Sequence, residues 1–137
     1  ARNVGARFPD DVILGADTIV ICAGKVLGKP RDEQEAREML MLLSDKVHKV
    51  VTGVALVQGA REISAREETL VWLRKIDEKE INAYINSGEP FDKAGSYAVQ
   101  GKGAVFVKKV EGCFFNVVGL PLARTVDLLN KWGFSIW

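Results

Sequence analysis

The feature that most constrains the fold is an apolar run near the N-terminus. Residues 12–21 read VILGADTIVI, which is rich in β-branched side chains and almost without polar alternation. Such a run is typical of a strand covered on both faces, so it predicts a strand in the middle of a sheet. With 137 residues, 47% of them hydrophobic, the chain is long enough to bury one core around that strand but not two.

Helix and turn signals divide the rest of the chain. Asp32 and Asp77 each stand three residues before a glutamate, which is the capping-box pattern, and apolar residues follow both at helical spacing. Two β-rich segments, residues 49–58 and 62–75, flank a Gly-Ala-Arg turn and predict a long hairpin. We expect two helices and a hairpin from these signals.

The C-terminal third predicts two more strands and a helix. We expect strands at residues 104–110 and 114–118, followed by a helix that begins at Pro121 and ends at Gly133. Its predicted buried face carries Leu122, Val126 and Leu129. The element order is then β, α, β, β, α, β, β, α, which indicates a single α/β or α+β domain.

Charge and cysteine content exclude several classes of protein. The 19 basic and 18 acidic residues leave a net charge of +1, so the chain lacks the basic surface of a protein that binds a nucleic-acid polymer or an anionic membrane. Cys22 and Cys113 stand alone and predict reduced thiols. No apolar stretch is long enough to span a bilayer and no signal peptide is evident, so we expect a cytoplasmic protein.

Asp17 is the first anomaly, because it interrupts an otherwise apolar strand. A buried carboxylate costs several kcal/mol unless a partner or a metal compensates it. Two interpretations remain open. Asp17 belongs to a ligand site, or it lies at the C-terminal end of the strand and only caps Thr18 or a loop amide.

A glycine-rich loop is the second anomaly. Residues 88–103 read GEPFDKAGSYAVQGKG, and backbone amides with a lysine in such a loop can form an anion cradle. The alternative is a set of ordinary turns with Lys93 and Lys102 in solvent. Lys29, fixed between a glycine and a proline, has the same ambiguity, while His48 is interpreted as an ordinary strand-edge residue. By themselves these residues name no reaction.

Five short motifs lie in one order along the chain: LGADT at 14–18, LGKP at 27–30, HKVVTGV at 48–54, the loop at 88–103, and NVVGLP at 116–121. Together they resemble the Maf family of nucleoside triphosphate pyrophosphatases. The resemblance implies the fold of inosine triphosphate pyrophosphatases, an elongated mixed sheet flanked by helices around a central cleft. It also implies a divalent cation, magnesium or manganese, and hydrolysis of a nucleoside triphosphate to the monophosphate and pyrophosphate.

The resemblance also implies roles for charged residues. Asp17 matches the catalytic acid that accepts a proton from water and contacts the metal, and Asp92 is a second candidate metal ligand. Lys29 and Lys93 match lysines that bind phosphate. A metal-bound carboxylate that orients water, with lysines facing the departing pyrophosphate, suits in-line attack on the α-phosphorus.

Substrate choice is implied by two polar residues. Thr18 and Gln100, with Tyr97 in the same loop, are similar to the branch of the family that acts on dTTP and UTP rather than on methylated GTP. The Gln100 amide offers a donor and an acceptor to the O4 and N3–H edge of a pyrimidine.

One departure from the family concerns the start of the chain. Family members begin with a strand leading into a Ser-x-x-Arg-Arg run, and no such run precedes or follows Ala1 here. We therefore expect residues 1–137 to be one N-terminally truncated domain without that strand and its arginines. The alternative function is a nucleotide-binding or cell-division (septum) regulatory module with impaired catalysis. A homodimer through Trp132, Phe134 and Trp137 is a further expectation, the alternative being a tail that packs on its own domain.

Overall fold

A single antiparallel sheet organises the molecule. The computed structural model describes all 137 residues, and its five strands are β1 (Ile13–Cys22), β2 (Lys25–Leu27), β3 (Val47–Gln58), β4 (Arg61–Leu73) and β5 (Val107–Glu111). They lie in the order β2-β1-β3-β4-β5, and every neighbouring pair is antiparallel. The predicted α/β class with a helix-flanked sheet is confirmed. The sheet itself is antiparallel rather than mixed, since no two neighbouring strands run in the same direction.

The predicted hairpin is confirmed as β3 and β4. They pair along their whole length, from Val47 opposite Trp72 to Gln58 opposite Arg61, and Gly59 turns the chain with a positive φ of 53°. The predicted first strand is confirmed as β1, but it is not covered on both faces. Only Val20 and Cys22 near its C-terminal end are buried, because the main core formed with α2 and α3 covers that end.

Five helices surround the sheet: α1 (Arg2–Gly5), α2 (Glu33–Leu43), α3 (Glu78–Asn86), α4 (Phe114–Val118) and α5 (Leu122–Trp132). Asp77 forms the complete capping box with Glu80. Asp32 also caps its helix, accepting from the Glu35 N–H at 2.8 Å. The Glu35 carboxylate instead accepts from the Arg31 amide and guanidinium, so both helix starts are confirmed but only one box is complete.

The prediction of a strand at residues 114–118 is wrong, since these residues form α4. Gly112, with φ of 118°, turns the chain out of β5, and the next residues cross the sheet face, where Asn116 is fully buried. The preceding strand is also shorter than expected, because Lys102–Phe106 form a 3-10 helix before β5 begins at Val107.

The buried face of α5 differs from the expected one. Thr125, Leu128 and Trp132 are buried, whereas Leu122 is 44% exposed. Leu128 and Trp132 pack with Val54 and Leu56 in a small second core. Trp132 is therefore unavailable for an interface.

The main core lies between the sheet and helices α2 and α3. It contains 17 buried residues, among them Leu40, Val71 and Ile81. Cys22 is buried and Cys113 half-buried, and both are free thiols, as predicted. None of the helices combines the length and apolarity that a bilayer-spanning segment needs.

Candidate functional site

A cleft of about 260 Å³, lined by both polar and apolar residues, opens where β1, the loops after β2 and α3, and the end of α4 meet. All six residues singled out in the sequence for catalysis, binding or specificity line it: Asp17, Thr18, Lys29, Asp92, Lys93 and Gln100. They come from segments far apart in the chain, so the fold brings together what the motifs only placed in order.

Asp17 lies in the middle of β1 with its carboxylate exposed. Its Oδ1 accepts a hydrogen bond from the Thr18 N–H at 3.0 Å, and Oδ2 has no protein partner. The expected burial of Asp17 is therefore wrong, and no compensating charge is needed, since the uncovered half of β1 leaves the carboxylate in solvent. The hydrogen bond to Thr18 agrees with the interpretation that Asp17 caps Thr18. That interpretation also placed Asp17 at the C-terminal end of the strand, whereas it lies in the middle. The exposed Oδ2 can accept a hydrogen bond from water or bind a cation.

Two lysines and a second acid line the same cleft as Asp17. Lys93 Nζ lies 3.0 Å from Asp92 Oδ1, and this hydrogen bond lowers the pKa of Asp92, with a smaller contribution from the nearby charge of Lys29. Lys29 forms no ion pair within 4.0 Å. Lys29 is therefore free to meet an incoming anion, whereas Lys93 must share its charge with Asp92.

The donor set suits a cation held partly by its ligand. No group of three His, Cys, Asp or Glu residues is close enough to form an all-protein metal cage. The cleft does offer the hard carboxylate oxygens of Asp17 and Asp92. Magnesium is commonly bound by one or two carboxylates together with water and substrate phosphates, so these residues fit such an ion.

The loop that carries Gln100 is held by Glu89. The Glu89 carboxylate accepts from the Tyr84 hydroxyl at 2.6 Å and from the backbone N–H groups of Lys102 at 2.8 Å and Gly103 at 2.9 Å. Burial raises the pKa of Glu89, but the hydrogen bonds from these donors lower it by more, so the pKa lies below its usual value. Gly101 leaves room for this carboxylate, because a Cβ at this position would force Glu89 to move.

The other end of the loop is fastened to the Lys29 segment. The Gly95 N–H donates to the Gly28 carbonyl at 3.0 Å. Gly95 has φ of 72°, and a Cβ there would lie 3.0 Å from Val20 Cγ2. The glycine thus lets the loop pass directly over β1 and places Lys93 beside Lys29.

Tyr97 lines the cleft and contacts His48. The Tyr97 hydroxyl and His48 Nε2 are 2.8 Å apart, and the rings meet edge to face. Burial lowers the pKa of His48 to about 4, so the imidazole is neutral at pH 7. The interpretation of His48 as a strand-edge residue is wrong, because β3 is the central strand and His48 is only 2% exposed.

A buried chain of hydrogen bonds runs from the cleft into α4, and most of its members had no role in the sequence analysis. Thr18 Oγ1 lies 2.8 Å from Thr52 Oγ1, and Thr52 Oγ1 donates to the Asn116 carbonyl at 3.1 Å. The Asn116 amide nitrogen donates to the Val50 carbonyl and to Thr69 Oγ1. Thr52 and Asn116 belong to two of the five motifs, which is the only sequence signal that marked them.

Comparison with known proteins gives one consistent result. The profile of a family described as Maf-like protein matches residues 1–132. A protein of Carboxydothermus hydrogenoformans is 55% identical over 136 residues, which cover 98% of this chain and 73% of that protein. Proteins of Symbiobacterium thermophilum and Methanosarcina barkeri are each 49% identical, with 100% of this chain and 71% of theirs covered. All three relatives are named dTTP/UTP pyrophosphatase.

Proposed function

Because this chain belongs to the Maf family, we propose that it hydrolyses dTTP and UTP to the monophosphate and pyrophosphate. The names of relatives at about half identity support this substrate class. The observation that carries the proposal is the cleft, where an exposed carboxylate, two lysines and two polar side chains converge. Such an activity removes nucleotides before they enter nucleic acid, which is a house-cleaning role.

Asp17 is the proposed general base. Its Oδ1 is fixed by the Thr18 N–H, which leaves Oδ2 available to a water. A water held by this carboxylate attacks the α-phosphorus, forming a new P–O bond while the bond to the bridging oxygen of the β-phosphate breaks. The water proton passes to Asp17, and pyrophosphate leaves with the bridging oxygen.

The two lysines are proposed to bind the phosphates and to neutralise their negative charge. Lys29, which has no ion-pair partner, is the proposed first contact of the triphosphate, and Lys93 turns from Asp92 to the phosphates when the nucleotide arrives. Asp17 and Asp92 are the residues that would hold a divalent cation, magnesium or manganese. When bound, that cation neutralises negative charge on the phosphate oxygens.

The base is the proposed ligand of Thr18 and Gln100. Gln100 is exposed at the cleft and its amide makes no hydrogen bond within the protein, so it is free to bind O4 and N3–H of a pyrimidine. Tyr97 supplies an apolar wall beside it. A polar edge of this kind discriminates between bases more strongly than an apolar pocket does.

We also propose a single domain, a cytoplasmic location and a homodimer. Residues 1–137 act as one nucleotide pyrophosphatase domain. The protein works in the cytoplasm, because its proposed substrates are the free precursors of nucleic acid. It forms a homodimer through exposed apolar residues such as Phe134 and Trp137, which sedimentation analysis tests.

The decisive experiment measures pyrophosphate release from dTTP, UTP and methylated GTP with magnesium, before and after chelation. Asp17→Asn is expected to lower kcat for dTTP by roughly 10²–10⁴-fold, the usual worth of a general base. Asp127→Asn, an exposed acid on α5 away from the cleft, is the matched control. Equal rates for Asp17→Asn and the control would refute the proposed mechanism. Tight nucleotide binding without turnover in the unaltered protein would favour the regulatory alternative.

A further inference from the structure

The charged groups of the cleft cancel one another. Its lining contains two carboxylates, from Asp17 and Asp92, and two ammonium groups, from Lys29 and Lys93. These charges sum to zero. A nucleoside triphosphate carries several negative charges, so the cleft by itself offers its proposed substrate no net charge attraction, although it contains two lysines.

An ion pair between neighbouring residues accounts for half of this cancellation. Lys93 Nζ lies 3.0 Å from Asp92 Oδ1. Lys29 forms no ion pair, although its charge also acts on the Asp92 carboxylate. The two lysines therefore differ, since a phosphate must compete with Asp92 for Lys93 but not for Lys29.

The backbone around this ion pair is fixed, so only the side chains can exchange partners. The Lys93 N–H donates to the Pro90 carbonyl at 3.2 Å, and the Lys93 carbonyl accepts from the Ser96 N–H at 3.1 Å. Both charged side chains reach solvent, with exposures of 74% for Asp92 and 38% for Lys93. Rotation of the Lys93 side chain away from Asp92 thus requires no movement of the loop.

Asp92 is the carboxylate of the cleft whose change of partner would release a lysine. Asp17 forms no ion pair, and its Oδ1 accepts only from the Thr18 N–H. An exposed ion pair contributes little stability, so it is easily exchanged. A divalent cation, for which carboxylate oxygens are suitable ligands, attracts Asp92 with twice the charge of an ammonium group.

We propose that Asp92 exchanges Lys93 for a divalent cation, and that the released Lys93 then binds the phosphates of the nucleotide. In the cation-free protein Asp92 is thus an inhibitory partner, because it withholds one of the two phosphate-binding lysines. With the cation bound, the net charge of the cleft becomes positive and both lysines are available. This inference rests on the proposed function and deepens it, since it makes tight nucleotide binding conditional on the cation.

Asp92→Asn tests the exchange without any cation. The probe is an α,β-imido analogue of dTTP, which cannot release pyrophosphate, and its affinity is measured by calorimetry in EDTA. Asp92→Asn should bind the analogue more tightly than the unaltered protein does, although it loses a candidate metal ligand. Asp127→Asn, which makes the same charge change on α5 away from the cleft, is the matched control and should leave the affinity unchanged.

A double-mutant cycle separates release of Lys93 from the simple loss of a negative charge. Loss of charge alone strengthens binding by the same factor whether or not Lys93 is present. Release of Lys93 requires that lysine, so the gain from Asp92→Asn should be about two- to fivefold larger with Lys93 than in the Lys93→Met background, the worth of an exposed ion pair. Equal gains in the two backgrounds would overturn the inference.

Magnesium should increase the importance of Lys93 but not that of Lys29. The affinity for the analogue that is lost in Lys93→Met is expected to grow about two- to fivefold between EDTA and magnesium, because only the cation-loaded protein has this lysine free. The loss in Lys29→Met should not grow, since Lys29 is unpaired in both states. The inference is wrong if the two lysine variants respond to magnesium alike.

Manganese alone gives a second measurement that needs no nucleotide. Lys93 competes with the cation for Asp92, so Lys93→Met should strengthen manganese binding about two- to fivefold more than Lys29→Met, which removes the same charge from the same cleft. Equal effects of the two substitutions on manganese binding would contradict the exchange. Melting temperatures establish that each variant is folded.

Failure of the inference and failure of the proposed function are distinguishable, because every measurement above is of binding. Absence of pyrophosphate release from dTTP and UTP by the unaltered protein would refute the proposed function. The manganese affinities and the double-mutant cycle would still report whether Asp92 exchanges Lys93 for a cation. Conversely, equal gains in the cycle with full turnover would overturn the inference and leave the proposed function standing.

Discussion

Removing the Glu89 carboxylate should loosen the loop that carries Gln100. Glu89 is the common acceptor for Tyr84 on α3 and for the backbone amides of Lys102 and Gly103. No other protein group accepts from those two amides. Glu89→Ala therefore leaves a hydroxyl and two N–H groups without their acceptor in one step.

The size of the effect follows from the number of bonds. Each hydrogen bond contributes about 1 kcal/mol net, so losing three lowers the free energy of unfolding by roughly 3 kcal/mol. For a domain of this size, that corresponds to a melting temperature lower by roughly 10 °C. Glu89→Gln retains one oxygen acceptor and turns a donor toward the loop, so its loss should be intermediate.

Thermal melting by circular dichroism and the kinetics of dTTP hydrolysis measure the two consequences. Because the loop positions Gln100 and Lys93, the proposed contacts to the substrate, rather than Asp17, we expect KM to rise severalfold while kcat changes less. Glu78→Ala on α3, whose carboxylate has no hydrogen-bond partner, is the matched control and should melt close to the unaltered protein. A melting temperature for Glu89→Ala within about 2 °C of that control would refute the assigned role, given the expected sensitivity.

Three further predictions concern stability. Gly95→Ala should cost about 1–3 kcal/mol in urea unfolding, because φ of 72° strains a side chain that also meets β1 at 3.0 Å. Leu40→Ala should cost about 2–5 kcal/mol because Leu40 is fully buried, while the neighbouring Met41→Ala, at 53% exposure, should cost less than about 0.5 kcal/mol. Arg74 lowers the pKa of Glu80 to about 2. The stability that this carboxylate contributes is therefore complete above its pKa in the unfolded chain and is lost as pH falls from about 4.5 to 2. Glu80→Gln should flatten the pH dependence of unfolding over that window.

Local patterns in the sequence determined the regular elements that depend on few residues. Asp77 and Glu80 lie within one helical turn, so the helix start that they predict needs no distant partner. The β3–β4 hairpin likewise follows from two β-rich segments and a short glycine-containing turn. The motif order also identified the family, and the six residues chosen from it line one cleft. Their individual roles stay predictions.

Where the sequence pattern allows two faces of a helix, or a helix and a strand, equally well, only the tertiary structure chooses between them. On α5, the stripe of Leu122, Val126 and Leu129 and the stripe of Thr125, Leu128 and Trp132 have the same helical spacing. Packing against Val54 and Leu56 buries the second. Residues 114–118 are apolar enough for a strand, but contact with the face of β3 and β4 makes them a helix. Sequence periodicity does not choose between such faces, because the choice depends on surfaces distant in the chain.

The chemistry of the site divides in the same way. The sequence by itself determined which groups are available: a carboxylate in a strand, lysines in stiff turns and an amide in a glycine-rich loop. Only the tertiary structure decided that Asp17 is exposed, that Lys93 is paired while Lys29 is free, and that the Thr18 hydroxyl is hydrogen-bonded to that of Thr52. Burial, charge pairing and the direction of a hydrogen bond are properties of neighbours in space, and those neighbours lie up to 66 residues apart in the chain.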